Sequence, residues 1–321
     1  MEENCNYKIT SDIYDSDNTD GKISFLVGEE NSGQLLKTFL RCECGVSART
    51  FTKLKKIPLG ITRKGQLIKA NDKVFSGDEI VLKQVREDNE ILPVCGDIDI
   101  VYEDSYIIII NKPAHMPVHP TKIHQENTLA NYLRYYSLNK GEDFTFRAVN
   151  RIDKDTSGLV LIAKDRHCAG LLQKQNIYKE YFALCHGILP ESGTIDKPIK
   201  KSENSTMLRI ISEDGDQAVT HFKRICNDES CSLVKLWLET GRTHQIRCHM
   251  SSIGFPLEGD DLYGGNRKKI SRQALHCGRM RFSHPISRES MEFNCKVPAD
   301  MEKIISLMNL YEINIENMTF L

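Results

Sequence analysis

The chain has no Cys-x-x-Cys pair, no long apolar run and no tract of polar low complexity, and each absence removes a class of protein. Eleven cysteines stand at positions 5, 42, 44, 95, 168, 185, 226, 231, 248, 277 and 295, but none shares the spacing that nucleates a zinc site, so no structural metal is expected. The longest purely aliphatic run, Ile107 to Ile110, falls far short of the ~20 apolar residues that span a bilayer, so no membrane association is expected. The start, Met1-Glu2-Glu3-Asn4-Cys5-Asn6, is acidic and polar where a secretory signal would be basic and then apolar. The expectation is a cytoplasmic chain with reduced thiols. No internal repeat occurs at solenoid or propeller periods.

What is present is a globular composition. An apolar share of 40% and a charged share of 27% over 321 residues are enough to bury a core, in about two domains. The net charge of −1 hides an uneven distribution. Between Asn31 and Lys83 eleven Lys and Arg face four acids, a difference of +7, whereas the first thirty residues are acidic. Phosphate binding depends on where charge sits rather than on its sum. An acidic leader (1–30) therefore precedes a basic module (31–83).

Within that module Leu35, Leu36, Phe39 and Leu40 repeat at helical spacing, and Ser47 is a candidate cap for a second helix that carries Arg49, Lys53, Lys55 and Lys56. Gly60, Gly65 and Gly77-Asp78 then punctuate short β segments such as Gln66-Leu67-Ile68 and Glu79-Ile80-Val81. A solvated basic face is the plain alternative to an RNA-binding one. Residues 84–97, charged and containing Pro93 and Gly96, read as a linker. In 98–321 β-rich runs return at Asp99 to Tyr102, Tyr106 to Ile110, Gly158 to Ala163, Tyr178 to Cys185 and Ser232 to Leu238. A helix is predicted over Thr128 to Ser137, where Leu129, Tyr132, Leu133 and Tyr136 share a face and Thr128 can cap. These elements make a mixed α+β domain.

Four stretches of this domain could carry chemistry. The first runs from Val101 through Asn111-Lys112-Pro113 to His115-Met116-Pro117-Val118-His119-Pro120; the prolines argue against a helix, and so against a two-His metal site. The second, Asn150-Arg151-Ile152-Asp153-Lys154-Asp155-Thr156-Ser157-Gly158, is a turn entering a buried strand. An aspartate there commonly just accepts bonds from nearby backbone N–H groups. The third, Lys179-Glu180-Tyr181, opens an alternating strand whose Tyr181 suits either core packing or stacking on a base. The fourth, Thr240-Gly241-Arg242-Thr243-His244-Gln245-Ile246-Arg247, passes from a glycine turn into a helix that Thr243 could cap, and places His244 and Arg247 on one face. Gly259-Asp260-Asp261-Leu262-Tyr263-Gly264 and Ala274-Leu275-His276 follow.

In this order and at these separations the stretches resemble the RluA family of pseudouridine synthases, over about residues 98–297. The segment from Leu35 to Leu82 resembles the small RNA-binding module named after a ribosomal small-subunit protein. The family signature usually reads His-Arg-Leu-Asp-x-x-Thr-Ser-Gly; here Asn150 replaces the His and Ile152 the Leu.

The resemblance implies a largely antiparallel sheet flanked by helices, with a small N-terminal α/β module, and an enzyme that turns uridine in RNA into pseudouridine with neither metal nor organic cofactor. It assigns Asp153 as the catalytic carboxylate, Arg247 as its cationic partner with Arg242 as the fallback, and Tyr181 as the residue that stacks on the uracil. Arg151, Arg242 and His244, together with Arg49, Lys53 and Lys56, are the expected RNA contacts. A flipped-out target base leaves a gap that the planar guanidinium of Arg151 can fill. Ribosomal RNA is the preferred partner, transfer RNA the alternative, and the chain is expected to act as a monomer. Two other readings stand beside this one: a catalytically silent RNA-binding or ribosome-assembly factor, and a nucleoside glycosidase with Asp155 or Asp260 as second carboxylate.

Overall fold

The computed structural model describes residues 22–46, 48–83, 91–121, 124–142, 144–205 and 207–308. Residues 1–21 of the acidic leader, Ser47, residues 84–90 of the linker and the side chain of Arg49 lie outside the described residues. The chain divides into two compact units at residues 88 and 89.

In the first unit four antiparallel strands lie in the order Lys22–Leu26, Glu79–Lys83, Ile61–Arg63, Gln66–Leu67. Alternation decides which side chains enter the core: Ile80 and Leu82 are buried while Glu79 between the turn and Ile80 is exposed. The helix Ala48–Leu54 buries Phe51 and Leu54, three apart, and leaves Lys53 in solvent; Lys55 and Lys56, expected on this helix, lie exposed in the turn that follows it. The helix predicted from Leu35 is a single α turn, Leu36–Thr38, that widens into a π turn, Phe39–Glu43, keeping Leu36, Phe39 and Leu40 buried.

The second unit is built on a ten-stranded sheet with the central order Cys231–Leu238, Tyr178–His186, Leu275–Ser283, Ser157–Ala163, Ile107–Lys112. All five expected β runs are strands, with ends shifted by one or two residues. Among the described strands every pairing is antiparallel except one, in which His276 and Cys277 lie beside Ser157 and Gly158. The fold is thus the expected mixed α+β one with a largely antiparallel sheet.

The two sides of strand Tyr178–His186 face different cores. Tyr181, Ala183 and Cys185 enter the larger one, with helices Leu129–Asn139 and Gln245–Ser252; Phe182 and Leu184 meet the helix Ala299–Met308 through Met301, Ile304, Ile305 and Met308. Thr128 caps its helix in a reciprocal box with Asn131. Residues 91–96 are irregular and follow this helix: Asn131 donates to the Leu92 carbonyl at 2.8 Å and receives the Val94 N–H at 3.2 Å. No helix of the described residues is long and apolar enough to cross a membrane.

Candidate active site

The one parallel pairing sets the site. Gly158 has φ +112, and a Cβ there would come within 2.3 Å of the Cys277 carbonyl, so only glycine lets the two strands approach so closely. Cys277 in turn pairs with Tyr181. The turn that precedes Gly158, closed by the Thr156 N–H on the Asp153 carbonyl at 3.1 Å, is therefore delivered beside Tyr181. Two buried cations hold this turn by its backbone. Lys112 Nζ donates to the carbonyls of Pro113, Met116 and Lys154 at 2.7, 2.8 and 3.0 Å, and Arg272 Nη1 donates to that of Asp155 at 3.1 Å. Burial, opposed in part by Asp155, lowers the Lys112 ammonium to about 7.

Asn150, where the family signature has His, is buried and acts as a piece of backbone. Its amide donates to the Leu159 carbonyl at 3.2 Å and accepts the Leu161 N–H at 2.8 Å, tying the approach to the turn onto strand Ser157–Ala163.

The opposite wall comes from the helix Gln245–Ser252. Thr243 does not cap it: His244 occupies that position in the left-handed region, φ 56, and its side chain makes no capping bond. Gln245 does the local work instead, its carboxamide oxygen accepting from the Arg242 N–H and the Thr240 hydroxyl at 2.9 Å each. The left-handed residue turns the helix start so that Arg247 faces the turn.

Arg247 Nη1 donates to Asp153 Oδ2 at 3.0 Å, while its Nε and Nη2 form a fork onto Asp260 at 2.7 and 2.8 Å. Burial disfavours the guanidinium charge, but the Asp260 fork and then the Asp153 carboxylate outweigh it and push Arg247 upward. Below the guanidinium lies the Tyr263 ring, 5.0 Å from centroid to Cζ. Tyr263 also meets His244 Nδ1 at 3.1 Å, and His244 Nε2 stands 3.7 Å from Asp153 Oδ2. Burial pulls His244 downward, with Asp153 opposing.

Asp153, with a quarter of its side chain exposed, accepts one hydrogen bond among the described residues, and it comes from Arg247 rather than from a neighbouring N–H. Asp153, Tyr181, Arg247, Arg151, Arg242 and His244 all line one open cleft. Burial, then Cys277 and Asp153, raises the Tyr181 phenol. Arg151 and Arg242 are exposed at the mouth, and Arg242 Nε donates to the Gln217 carbonyl at 3.1 Å, which leaves Arg247 as the ion-pair partner of Asp153. The expected contacts Lys53 and Lys56 are solvent-exposed residues of the first unit.

His115 and His119 serve separate neighbours. His115 Nδ1 lies 2.8 Å from Asp155 Oδ1 and His119 meets the Phe146 ring edge-on at 4.8 Å. Asp260 is consumed by Arg247, so neither it nor Asp155 flanks the cleft as a free second acid. Sequence reasoning passed over Lys112 and Arg272. Lys112 carried a signal, because it shares the strand side of Ile108 and Ile110 and so points into the core.

The family model described as RNA pseudouridylate synthase matches residues 106–252. The uncharacterized RNA pseudouridine synthase YhcT of Bacillus subtilis is 37% identical over 297 residues, 88% of this chain and 96% of that protein. The ribosomal large subunit pseudouridine synthase D of Escherichia coli (strain K12) is 36% identical over 259 residues, 75% of this chain and 79% of that protein. The chain belongs to the RluA family of RNA pseudouridine synthases. It is an isomerase whose substrate is uridine in RNA. Solved structures share this pseudouridine synthase fold. The human RNA pseudouridylate synthase domain containing 4 superposes with a TM-score of 0.55 at 23% identity, covering 66% of this chain and 93% of that one. For the human domain containing 1 the values are 0.53 and 23%, with 68% and 97% covered.

Proposed function

We propose that Asp153 is the catalytic carboxylate of this pseudouridine synthase, that Arg247 aligns it and that Tyr181 holds the uracil of the flipped target. The observation that carries the reading is the Asp153 carboxylate itself, open to the cleft and bonded by a single arginine that a second, buried carboxylate holds in place. The reaction breaks the bond from the uracil nitrogen to the anomeric carbon, turns the ring, forms a carbon–carbon bond and releases a proton from the new linkage. An ionised carboxylate serves either as nucleophile at the sugar or as the base that begins elimination. Tyr181, next to it in the cleft, suits stacking and lies near the departing proton.

Arg151, at the mouth beside Asp153, fills the gap left by the extruded base, and Arg242 and His244 contact the surrounding RNA. The basic first unit, with Arg49 and the exposed Lys53 on one helix and Lys56 exposed in the turn after it, adds phosphate contacts that hold the substrate without selecting a base. Large-subunit ribosomal RNA is the proposed substrate, supported by the name of the Escherichia coli relative, and the cytoplasm the proposed site of action. The test is Asp153→Asn on RNA from cells lacking the gene, read by carbodiimide primer extension. Loss of the pseudouridine stop with binding retained is expected; full turnover refutes the assignment.

A further inference from the structure

A second cavity, of about 210 Å³ and open to solvent, adjoins the cleft of Asp153 and shares Leu238 with it. Its wall includes Lys179, two residues before Tyr181 on the same side of the strand, together with Gln173, Asn176 and the segment from Glu239 to Gly241. Glu239, the acid of this wall, has its own partner in His221 Nε2 at 2.8 Å. Lys179 has none: its ammonium makes no hydrogen bond or ion pair among the described residues.

A half-buried cation without a counter-ion costs desolvation and gains nothing in the free protein. Burial accordingly lowers Lys179 from its ordinary value, with Cys277 opposing. Other buried cations of this unit have partners. Lys112 has three carbonyls and Arg272 has the Asp300 carboxylate. The wall of the second cavity offers amide donors and a spare positive charge, a set that fits an anion. Val149 lines this cavity and Arg151 to Asp153 line the cleft, so the two sites adjoin along one segment of chain.

We infer that Lys179, with Gln173 and Asn176, forms a subsite for a phosphodiester group of the RNA strand next to the target uridine. It rests on the reading that the adjoining cleft takes that uridine. A lysine ammonium suits the task because it acts as a compact point charge that needs no fixed approach.

The experiment compares full-length wild type, Lys179→Met and Lys179→Arg in filter binding to large-subunit ribosomal RNA from a strain lacking the gene, across a salt series. Lys179→Met is expected to bind about threefold to tenfold more weakly at low salt, with the slope of log K against log salt reduced by about 0.7, the value of one single-strand phosphate contact. Lys179→Arg keeps the slope. The unfolding temperature of free Lys179→Met is expected to equal or exceed that of wild type, because the substitution removes an uncompensated charge. An unchanged slope in Lys179→Met overturns the proposal, as does an equal loss in both variants, which marks a packing defect. Turnover by Asp153→Asn tests the cleft separately, so either reading can fail alone.

Discussion

Arg247 binds Asp260 through two nitrogens and Asp153 through one, so the position of the exposed carboxylate is set by a buried one that substrate never meets. Removing Asp260 leaves the guanidinium charge in place but lets it swing. Asp260→Asn is expected to slow single-turnover pseudouridine formation by about 10- to 100-fold, as misplacement of a reacting group does. The unfolding free energy should fall by about 3–5 kcal/mol, because a buried ion pair loses one member. Arg247→Lys should give a similar rate loss, since an ammonium cannot fork onto Asp260 and reach Asp153 together. A wild-type rate in Asp260→Asn would show that the fork does not position Asp153.

His276 lies at the centre of the sheet and supports the Asp153 turn from below, its Nδ1 2.9 Å from the Ser157 hydroxyl and its Nε2 3.3 Å from the Cys295 carbonyl. Burial lowers it from 6.5 to about 4. A lowered folded value means that the unfolded chain binds the proton more tightly. This contribution to stability is complete above pH 6.5 and is lost as pH falls toward 4. The shift corresponds to about 3 kcal/mol. Urea unfolding at pH 7 and pH 5 should show a fall in stability for wild type, and a smaller fall for His276→Gln. An equal fall in both would remove His276 as a source of the pH dependence.

The candidate site was legible in parts. Asp153, Tyr181 and Arg247 could each be named because they sit in short motifs, yet alone each had an ordinary structural reading. What joins them is the parallel pairing of Gly158 with Cys277, a contact between strands more than a hundred residues apart that no local pattern encodes. Strand Leu275–Ser283 went unpredicted for a related reason. It is central but contains His276, Gly278 and two arginines, and its ladder slips between Cys277 and Arg279, so neither alternation nor a continuous apolar run marks it. The cap at Thr243 failed because a left-handed His244 and the Gln245 side chain took over, a choice made by tertiary contacts.

Arg272 links the last described helix to the turn that carries Asp153. Its Nε and Nη2 fork onto Asp300 at 2.7 and 2.9 Å, and its Nη1 reaches the Asp155 carbonyl. Asp300→Asn loosens the fork without touching the cleft. The expected result is a kcat lowered by about 10-fold with KM for RNA unchanged, the pattern of a group that acts only on the reacting geometry. A change confined to KM would place the effect in binding instead.

The first unit offers the cleanest separation of holding from reacting. Its lysines at 53, 55 and 56 are exposed, and it has its own core from Val27 to Leu82. Removing residues 1–88 therefore leaves the second unit with its sheet and its Asp153 cleft. Phosphate contacts enter the salt dependence at about 0.7 to 0.9 of a unit each, so losing several flattens the slope of log K by about 2 or more and weakens binding most at low salt. Single-turnover kcat at saturating RNA should stay within about threefold of wild type, because contacts made equally in ground and transition states change KM rather than kcat. Exchanging Lys53, Lys55 and Lys56 together for Gln in the full chain should give a smaller loss with the same sign. Wild-type slopes in both proteins would assign these lysines to a solvated face, and a collapse of kcat in the truncated chain would assign the first unit a part in the chemistry.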